Sequence, residues 1–293
     1  MFSFYKNRWI YICVSVVVIL AGLISFFVSG LNVDIDFKGG TSVVFNTNSD
    51  SATKEEIEQL VKDTVETTGT VTVQPSMDKP TEYTIKLNSL TTEESDTLVN
   101  ALIAKYAPDV EGFNDYSISS FTAAYGKQLA QEAIFALIIA VILMLLYITF
   151  RFEFLSGVSA IIGLVHDTLV MVAIYSLFNI PVNSSFIAVI LTILGYSINN
   201  TIVVFDRVRE NKKFARKETT AQIVDKSLRG TLSRSINTTI TPLIMVVCLY
   251  IIGGSSIKEF ALPLMSGLIG GAYSSLFIVG PVWAMMKGAN KKA

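Results

Sequence analysis

The sequence predicts a polytopic α-helical membrane protein with six transmembrane helices and one extracytoplasmic, ferredoxin-like α+β domain between the first two of them. Three observations support this fold class. Of the 293 residues, 51% are hydrophobic and only 16% are charged, whereas soluble domains carry about 25% charged residues. Six apolar stretches have the length, about 17–25 residues, that a helix needs to cross a bilayer. One long polar segment separates the first stretch from the other five.

Each predicted span is a continuous apolar run, which excludes the alternating pattern of membrane β-barrel strands. No small-x-small cleavage site follows the first span, so we interpret it as an uncleaved anchor. The predicted spans are 9–28, 133–150, 155–178, 185–205, 235–252 and 261–286. They divide the chain into an N-terminal tail with the first helix (1–29), an extracytoplasmic domain (30–127) and a five-helix membrane domain (128–293) that contains a basic cytoplasmic segment (206–234).

The distribution of lysine and arginine predicts that both termini are cytoplasmic. In this orientation, 15 of the 23 basic residues fall in cytoplasmic segments. The segment 30–127 holds 16 acidic residues and seven lysines, a net charge of −9. We therefore expect a multi-pass protein of the cytoplasmic (inner) membrane. An acidic surface usually keeps a small domain soluble and by itself implies no particular partner.

The polar segment alternates between strand and helix signals. Capping boxes at 53–56 and 91–94 each precede an amphipathic helical run. The resulting order is strand, helix, strand, strand, helix, strand, which is the ferredoxin-like pattern. This pattern hosts many unrelated functions, and the segment has no histidine or cysteine to suggest a catalytic site. The predicted strands are 33–46, 70–73, 81–87 and 116–122.

Two ionisable residues interrupt the third predicted span. Asp167 lies next to His166, the only histidine in the chain. An aspartate at a helix centre costs roughly 2.5–3.5 kcal/mol on insertion scales, so it must face a partner or a hydrated cavity. Two interpretations remain open. The pair is a proton-carrying site, since unperturbed histidine titrates near pH 6.5, or it forms hydrogen bonds to a neighbouring helix that hold the bundle together.

The fourth predicted span carries Tyr196, Ser197, Asn199 and Asn200 where apolar residues are expected. Such side chains suit interhelical hydrogen bonds or a hydrated path. Arg234 stands at the cytoplasmic start of the fifth span, where it either belongs to this path or extends to the lipid headgroups. The third, fourth and fifth spans are therefore expected to share one polar seam.

Several classes of function are excluded or disfavoured by composition. The two cysteines lie inside apolar runs, so neither a disulfide framework nor metal-ligand spacing is present, and no cofactor is implied. No basic stripe suggests nucleic-acid binding. An intramembrane enzyme is disfavoured because the His-Asp pair lacks a nucleophile or third ligand at a suitable spacing. The basic segment 206–234, with an amphipathic stretch around Ile223, Val224 and Leu228, is expected to lie on the surface of the bilayer.

Three motifs, in sequence order, resemble those of one family. The run VDIDFKGGT at 33–41 follows the first span, LVHD occupies 164–167 in the third span, and GYSINNTIVVFDRVREN occupies 195–211 in the fourth. Together they resemble the SecD/SecF family of protein-export proteins, within the resistance-nodulation-division superfamily. The resemblance covers almost the whole chain and favours the SecF branch, since SecD proteins have a much larger outside region.

The resemblance implies a translocase subunit, not an enzyme, that uses the proton or sodium gradient to promote preprotein translocation and release. Implied partners are SecD, the SecYEG channel, a YajC-like subunit, the preprotein and the lipid bilayer. The implied ion path contains His166 and Asp167 with Asn199, Asn200 and Arg234. Asp36, Gly39 and Gly40 would link the outside domain to the membrane, and the motif of the fourth helix contains Gly195, Tyr196, Ser197, Asp206 and Arg207.

This chain departs from the family pattern at one informative position. The family usually has Asn-Asp where this chain has Asn199-Asn200, and an amide cannot take up a proton near neutral pH. Two alternatives to an ion-coupled subunit therefore stay open: half of a small-molecule efflux transporter, and a translocon scaffold without ion coupling.

Overall fold

The computed structural model describes residues 3–47, 52–65, 71–76, 79–107, 115–215 and 218–289. Some predicted features lie outside these residues. They are Thr70 at the start of the second predicted strand, Arg216 and Lys217 in the basic segment, and the C-terminal Lys291 and Lys292.

Within the described part of the chain, six helical segments are long and apolar enough to cross a membrane, which confirms the predicted fold class. A four-stranded sheet lies between the first and second of them in sequence. In chain order the elements are α1 (Arg8–Ser29), α2 (Ile35–Lys38), β1 (Gly40–Asn46), α3 (Lys54–Thr64), β2 (Thr72–Pro75), β3 (Glu82–Leu87), α4 (Thr92–Tyr106), β4 (Tyr116–Phe121), α5 (Ala123–Arg151), α6 (Phe154–Leu177), α7 (Ser185–Phe214), α8 (Thr220–Ile252), α9 (Ser255–Ser274), a π-helical turn (Ser275–Val279) and α10 (Gly280–Lys287).

The sheet has the strand order β2-β3-β1-β4, and every neighbouring pair is antiparallel. In the central strand, Val43 pairs with Ile85 of β3 and Ile118 of β4. One sheet face packs against α3 and α4 to form a separate hydrophobic core. The side chains that alternate inwards include Val43, Phe45, Val73, Ile85 and Leu87.

Both helices of this domain begin at the predicted capping boxes. The hydroxyls of Thr53 and Thr91 accept hydrogen bonds from the backbone N–H groups of Glu56 and Glu94, at 3.3 Å in each case. In return, the Glu94 carboxylate accepts a hydrogen bond of 2.8 Å from the backbone N–H of Thr91. Hydrogen bonds from Thr91 hold the pKa of Glu94 below its ordinary value. Each helix therefore starts with two otherwise unpaired backbone donors satisfied.

The predicted strand over 33–46 is wrong in its first half. Residues 35–38 form the short helix α2, because the Asp34 side chain accepts a hydrogen bond from the backbone N–H of Ile35 and caps the turn. Gly39 then ends the helix with φ of +82°, a conformation that favours glycine. The β-strand begins only at Gly40. Only the second half of the alternating stretch is therefore a strand, and a helical turn precedes it.

The predicted surface position of the amphipathic stretch in 206–234 is also wrong. Helix α7 continues to Phe214, and α8 begins at Thr220 and runs without interruption into the membrane span. Ile223, Val224 and Leu228 are buried in the core of the bundle, together with Trp283 of α10. These apolar side chains contact other helices of the bundle and are therefore not available to contact lipid.

Helix α6 lies at the centre of the bundle and packs against α1, α5, α7 and α9. Its contact with α1 requires a glycine. A Cβ atom on Gly22 would lie 2.0 Å from Cβ and 2.4 Å from Cα of Ala173. By contrast, a Cβ on Gly195 of α7 would meet nothing within 4 Å.

These two glycines provide a matched pair of variants. Gly22→Ala is expected to lower the free energy of unfolding by about 1–3 kcal/mol, because the methyl group collides with backbone and α1 must shift away from α6. Gly195→Ala adds the same methyl group in open space and should be neutral or stabilise by up to about 1 kcal/mol. Equilibrium unfolding in mixed micelles measures the change in the free energy of unfolding for each variant. Equal effects of the two variants would contradict the close packing of α1 on α6.

Candidate functional site

The buried side chains of His166 and Asp167 are hydrogen-bonded to each other in the middle of the bundle. The exposed fraction is 8% for His166 and 1% for Asp167. His166 Nδ1 lies 2.9 Å from Asp167 Oδ1, and His166 Nε2 lies 2.8 Å from Ser15 Oγ of α1. The second carboxylate oxygen, Oδ2, accepts hydrogen bonds from Ser197 Oγ of α7 at 2.5 Å and Ser274 Oγ of α9 at 2.9 Å.

This network joins four helices through one pair of residues on α6. Ser15 and Ser274 could not be found from the sequence, since lone serines are common in transmembrane helices and carry no periodic signal. Ser274 is the last residue of α9, directly before the π-helical turn. Turns of this kind occur often at functional sites. The turn is therefore a local irregularity next to the one buried carboxylate–imidazole pair of the described bundle.

The donor and acceptor roles in this network depend on the tautomer of the His166 imidazole. A carboxylate only accepts hydrogen bonds, so His166 donates from Nδ1 to an ionised Asp167. Nε2 then accepts from Ser15 when the imidazole is neutral, or donates to it when the imidazole is protonated. The order hydroxyl, imidazole, carboxylate also occurs in serine hydrolases. Here, however, Ser15 is only 6% exposed, so a substrate carbonyl would have to enter the helix bundle to reach it.

Asn200 belongs to a second polar contact, on the α8 side of α7. Its Oδ1 accepts a hydrogen bond of 3.4 Å from Thr238 Oγ1. Its buried Nδ2 has no hydrogen-bond partner among the described residues, nor does the buried Ser235 Oγ. Nearby, Tyr196 OH donates to Thr239 Oγ1 at 2.5 Å. The polar residues of the third, fourth and fifth spans thus form two groups, one between α7 and the helices α6 and α9, the other between α7 and α8.

Asn199 and Arg234 do not join either group. Both side chains are exposed, and neither forms a hydrogen bond with another described residue. Asn237 and Thr241 are exposed on the same helix as Arg234, at the depth of the membrane span. Polar side chains at this depth need a partner or water. We call this exposed set, Asn199, Arg234, Asn237 and Thr241, the open polar face.

The charged end of the fourth-helix motif lies beyond the apolar part of α7. Arg207 forms an ion pair with Glu210 at 2.6 Å and lies over Gly230 of α8, where a Cβ would come within 3.2 Å of Arg207 Nε. Asp206 pairs with Arg151 at 3.5 Å. Both ion pairs are exposed and contribute little to stability; only the pair of Asp206 with Arg151 connects two helices, α7 and α5.

Asp36 and Gly39 lie where the domain that contains the sheet meets the membrane helices. Asp36 Oδ2 accepts a hydrogen bond of 2.9 Å from the backbone N–H of Ser184, directly before α7. A Cβ on Gly39 would lie 2.7 Å from the backbone nitrogen of Ala123 at the start of α5. A Cβ on Gly40 would lie 2.5 Å from the backbone oxygen of Leu87. Both glycines therefore allow close approach of backbone segments.

A further polar contact at this junction was not foreseen. Gln74 Nε2 of β2 donates a hydrogen bond of 2.6 Å to Glu259 Oε1 of α9, and Asn183 Nδ2 donates to Glu259 Oε2 at 3.4 Å. The partly buried ion pair between Lys86 and Asp34, at 2.6 Å, lies beside it. The sheet is thus hydrogen-bonded directly to the start of α9, which leads to Ser274 and the Asp167 network.

Comparison with known proteins gives a consistent result. The family model described as protein export membrane protein SecD/SecF, C-terminal, matches residues 99–289. Protein translocase subunit SecF of Petrotoga mobilis is 35% identical over 99% of this chain and 97% of its own length. Protein translocase subunit SecDF of Bacillus subtilis is 37% identical, but this chain spans only 38% of it. The crystal structure of SecDF, a translocon-associated membrane protein from Thermus thermophilus, superposes with a TM-score of 0.82 at 30% identity, covering 98% of this chain and 38% of that one.

The Asp167 network makes a prediction about stability. His166→Ala removes the donor to Asp167 Oδ1 and the link to α1, so it should lower the free energy of unfolding by about 1.5–3 kcal/mol. Thr168→Ala is the matched control, because the Thr168 hydroxyl bonds only to the backbone oxygen of Leu164 within its own helix. The free energy of unfolding of each variant is measured by equilibrium unfolding in mixed micelles. The interhelical role of His166 is refuted if the two variants are equally stable.

Proposed function

We propose a function from the premise that this chain belongs to the SecD/SecF family of protein export membrane proteins. It acts as a SecF-type subunit of the Sec protein translocase accessory complex. With SecD, it promotes the translocation and release of preproteins across the cytoplasmic membrane, using the proton or sodium gradient. Similarity to SecF subunits over nearly the whole chain is the single observation that carries this proposal.

Association with SecD is supported in two independent ways. The related SecDF proteins are single chains of which this chain matches only 38%, so the remaining length holds a second, SecD part. The open polar face on α7 and α8 also needs a protein partner or water within the bilayer. We propose that helices of SecD cover this face. The SecYEG channel, a YajC-like subunit and the preprotein are proposed as further partners from the family resemblance.

The ion path is proposed to run through Asp167 and His166. Asn200 cannot exchange a proton, whereas the Asp167 carboxylate and the His166 imidazole can share one between them. Asn199, Asn200 and Arg234 would line the side of the path that faces SecD. In this proposal the coupling does not depend on a carboxylate at position 200.

The outside domain is proposed to transmit its movement through the junction with the membrane helices. Asp36 holds the start of α7, and Gln74 holds the start of α9 through Glu259. Both helices supply hydroxyl donors to Asp167. The assignment of 30–127 to the outside, of 206–234 to the cytoplasm and of both termini to the cytoplasm rests on the distribution of basic residues. No catalytic turnover by the chain itself is proposed.

A scaffold without ion coupling is the second candidate, and Asn200 is the observation that favours it. In that case the Asp167 network only holds helices together, and SecD carries the coupling alone. The two functions differ in what they require of Asp167. The scaffold needs its hydrogen bonds, whereas the coupled subunit needs its charge.

The experiment is the rate of preprotein export in cells that lack this gene and are complemented with variants. Asp167→Asn keeps the size of the side chain but cannot be protonated, so export should fall to the rate of the deletion strain. Asp96→Asn, an exposed carboxylate on α4, is the control and should keep the wild-type rate. All proteins must be matched for membrane level and for co-purification with SecD.

The opposite outcome has a clear meaning. If Asp167→Asn assembles with SecD and exports at the wild-type rate, the ion-coupled function is wrong for this chain and the scaffold replaces it. If even the deletion leaves export unchanged, the translocase function itself is refuted.

A further inference from the structure

Polar side chains line the face of α1 that packs against the bundle. Asn7, directly before the helix, and Tyr11 and Ser15 within it are spaced four residues apart, so they lie one above another on the same side. Ser15 is buried, and the other two are partly buried. From Asn7 to Ser15 this face spans about 12 Å, at 1.5 Å per residue. The large side chains exposed elsewhere on α1 are apolar: Trp9, Ile10, Val14, Val16, Val17, Leu20, Ile24, Phe27 and Val28.

Tyr273 of α9 connects this face with the Asp167 network. Its hydroxyl donates a hydrogen bond of 2.8 Å to the backbone oxygen of Tyr11 and also interacts with the Ser15 hydroxyl as a hydrogen-bond partner. Its ring stacks on the imidazole of His166, with the ring centroids 6.2 Å apart and an angle of 22° between the planes. Ser15 in turn bonds to His166 Nε2 at 2.8 Å. The Tyr273 hydroxyl is therefore the next polar group after Ser15 on the side away from His166.

The Tyr11 hydroxyl continues the line towards the N-terminal end of α1. It interacts with the Tyr273 hydroxyl on one side, and with Asn7 and Asp225 on the other. Its oxygen is buried but lacks a well-formed hydrogen bond to a described residue. Buried polar groups of this kind are commonly satisfied by ordered water. The position therefore suits a water molecule that bridges to the groups on either side.

The line ends at a carboxylate beside the first residues of the chain. Asp225 of α8 accepts hydrogen bonds from the Ser3 hydroxyl and, at 2.8 Å, from the backbone N–H of Tyr5. Asp225 is partly exposed, so its carboxylate can exchange protons with solvent. This is the end of the bundle that the distribution of basic residues predicts to be cytoplasmic.

We propose that Ser15, Tyr273 and Tyr11 form a proton relay between His166 and Asp225. This inference rests on the proposed ion-coupled function and names the proton as the coupled ion. A hydroxyl group can accept one proton while it donates another, which is the property that a relay requires. The relay gives the Asp167 network a route to one end of the bundle that does not pass through position 200.

The transfer leaves every relay group chemically unchanged. Protonated His166 gives its Nε2 proton to Ser15 Oγ, while the proton of Ser15 passes to the Tyr273 oxygen. The proton of Tyr273 passes to water at the Tyr11 hydroxyl and from there to Asp225 or to bulk water. His166 ends neutral, and only the directions of the hydrogen bonds between the hydroxyls are reversed.

The chain has a single histidine, so NMR of isotope-labelled histidine observes the imidazole of His166 without overlap. The experiment measures the rate at which its ring N–H hydrogen exchanges with water in the full-length protein in nanodiscs. Tyr273→Phe keeps the aromatic ring on His166 but removes the hydroxyl that follows Ser15. Exchange should therefore slow several-fold, while the chemical shifts of the ring nitrogens stay close to those of the wild-type protein.

Two control variants separate the relay from helix packing. Tyr147→Phe removes the same hydroxyl from an exposed position on α5 and should keep the wild-type exchange rate. Ser25→Ala removes another hydroxyl through which α1 bonds to α6, at 3.1 Å from the backbone oxygen of Ser176, and should also keep it. The relay is overturned if Tyr273→Phe exchanges at the wild-type rate, or if Ser25→Ala slows exchange as much as Tyr273→Phe does.

The exchange rate is independent of preprotein export, so the relay and the proposed function can fail separately. If Tyr273→Phe slows exchange but export by the wild-type chain ignores the ion gradient, the relay stands and the ion-coupled function is refuted. If export responds to the gradient but Tyr273→Phe exchanges like the wild type, the function stands and the relay is refuted.

Discussion

The membrane bundle depends on keeping one carboxylate, Asp167, buried among apolar helices. Such a group is stable in a low-dielectric interior only when charge-assisted hydrogen bonds replace its hydration. Here the donors are His166 on the same helix, Ser197 on α7 and Ser274 on α9, and Ser15 on α1 completes the set through the imidazole. The positions of these helices around α6 are therefore linked through the side chain of a single residue.

Besides the contacts of Tyr196 and Asn200 with α8, the membrane domain has two sets of polar residues with different requirements. The Asp167 network is complete within the chain, since both of its carboxylate oxygens accept hydrogen bonds. The open polar face is incomplete, and the buried Nδ2 of Asn200 lacks a described partner beside it. Helix α7 carries residues of both groups on opposite sides. The hydrogen bond between Ser184 and Asp36 also links the start of this helix to the domain that contains the sheet.

The parts of this architecture that follow local rules could be predicted from the sequence. Six apolar runs became six spans, and the capping boxes at Thr53 and Thr91 mark where α3 and α4 begin. The errors arose where a local cap or tertiary packing overrides an alternating or amphipathic pattern. Residues 35–38 alternate like a strand but form a capped helical turn, and the amphipathic start of α8 is buried against α10 and not against lipid. For the site, Asp167 and His166 could be singled out because charge is costly in a span. Ser15, Ser274 and the Gln74–Glu259 contact could not, since only the fold brings those residues together.

The most direct test of the account is the response of translocation to the ion gradient in proteoliposomes that contain this chain, SecD and the SecYEG channel. The quantity to measure is the ratio of the preprotein translocation rate with an imposed proton or sodium gradient to the rate after an ionophore has dissipated it. For the wild-type chain, ion coupling through Asp167 predicts a ratio well above one. With Asp167→Asn the ratio should fall to one while the dissipated rate stays unchanged, because the network still forms but carries no exchangeable charge. A variant that keeps the wild-type ratio would contradict ion coupling through Asp167.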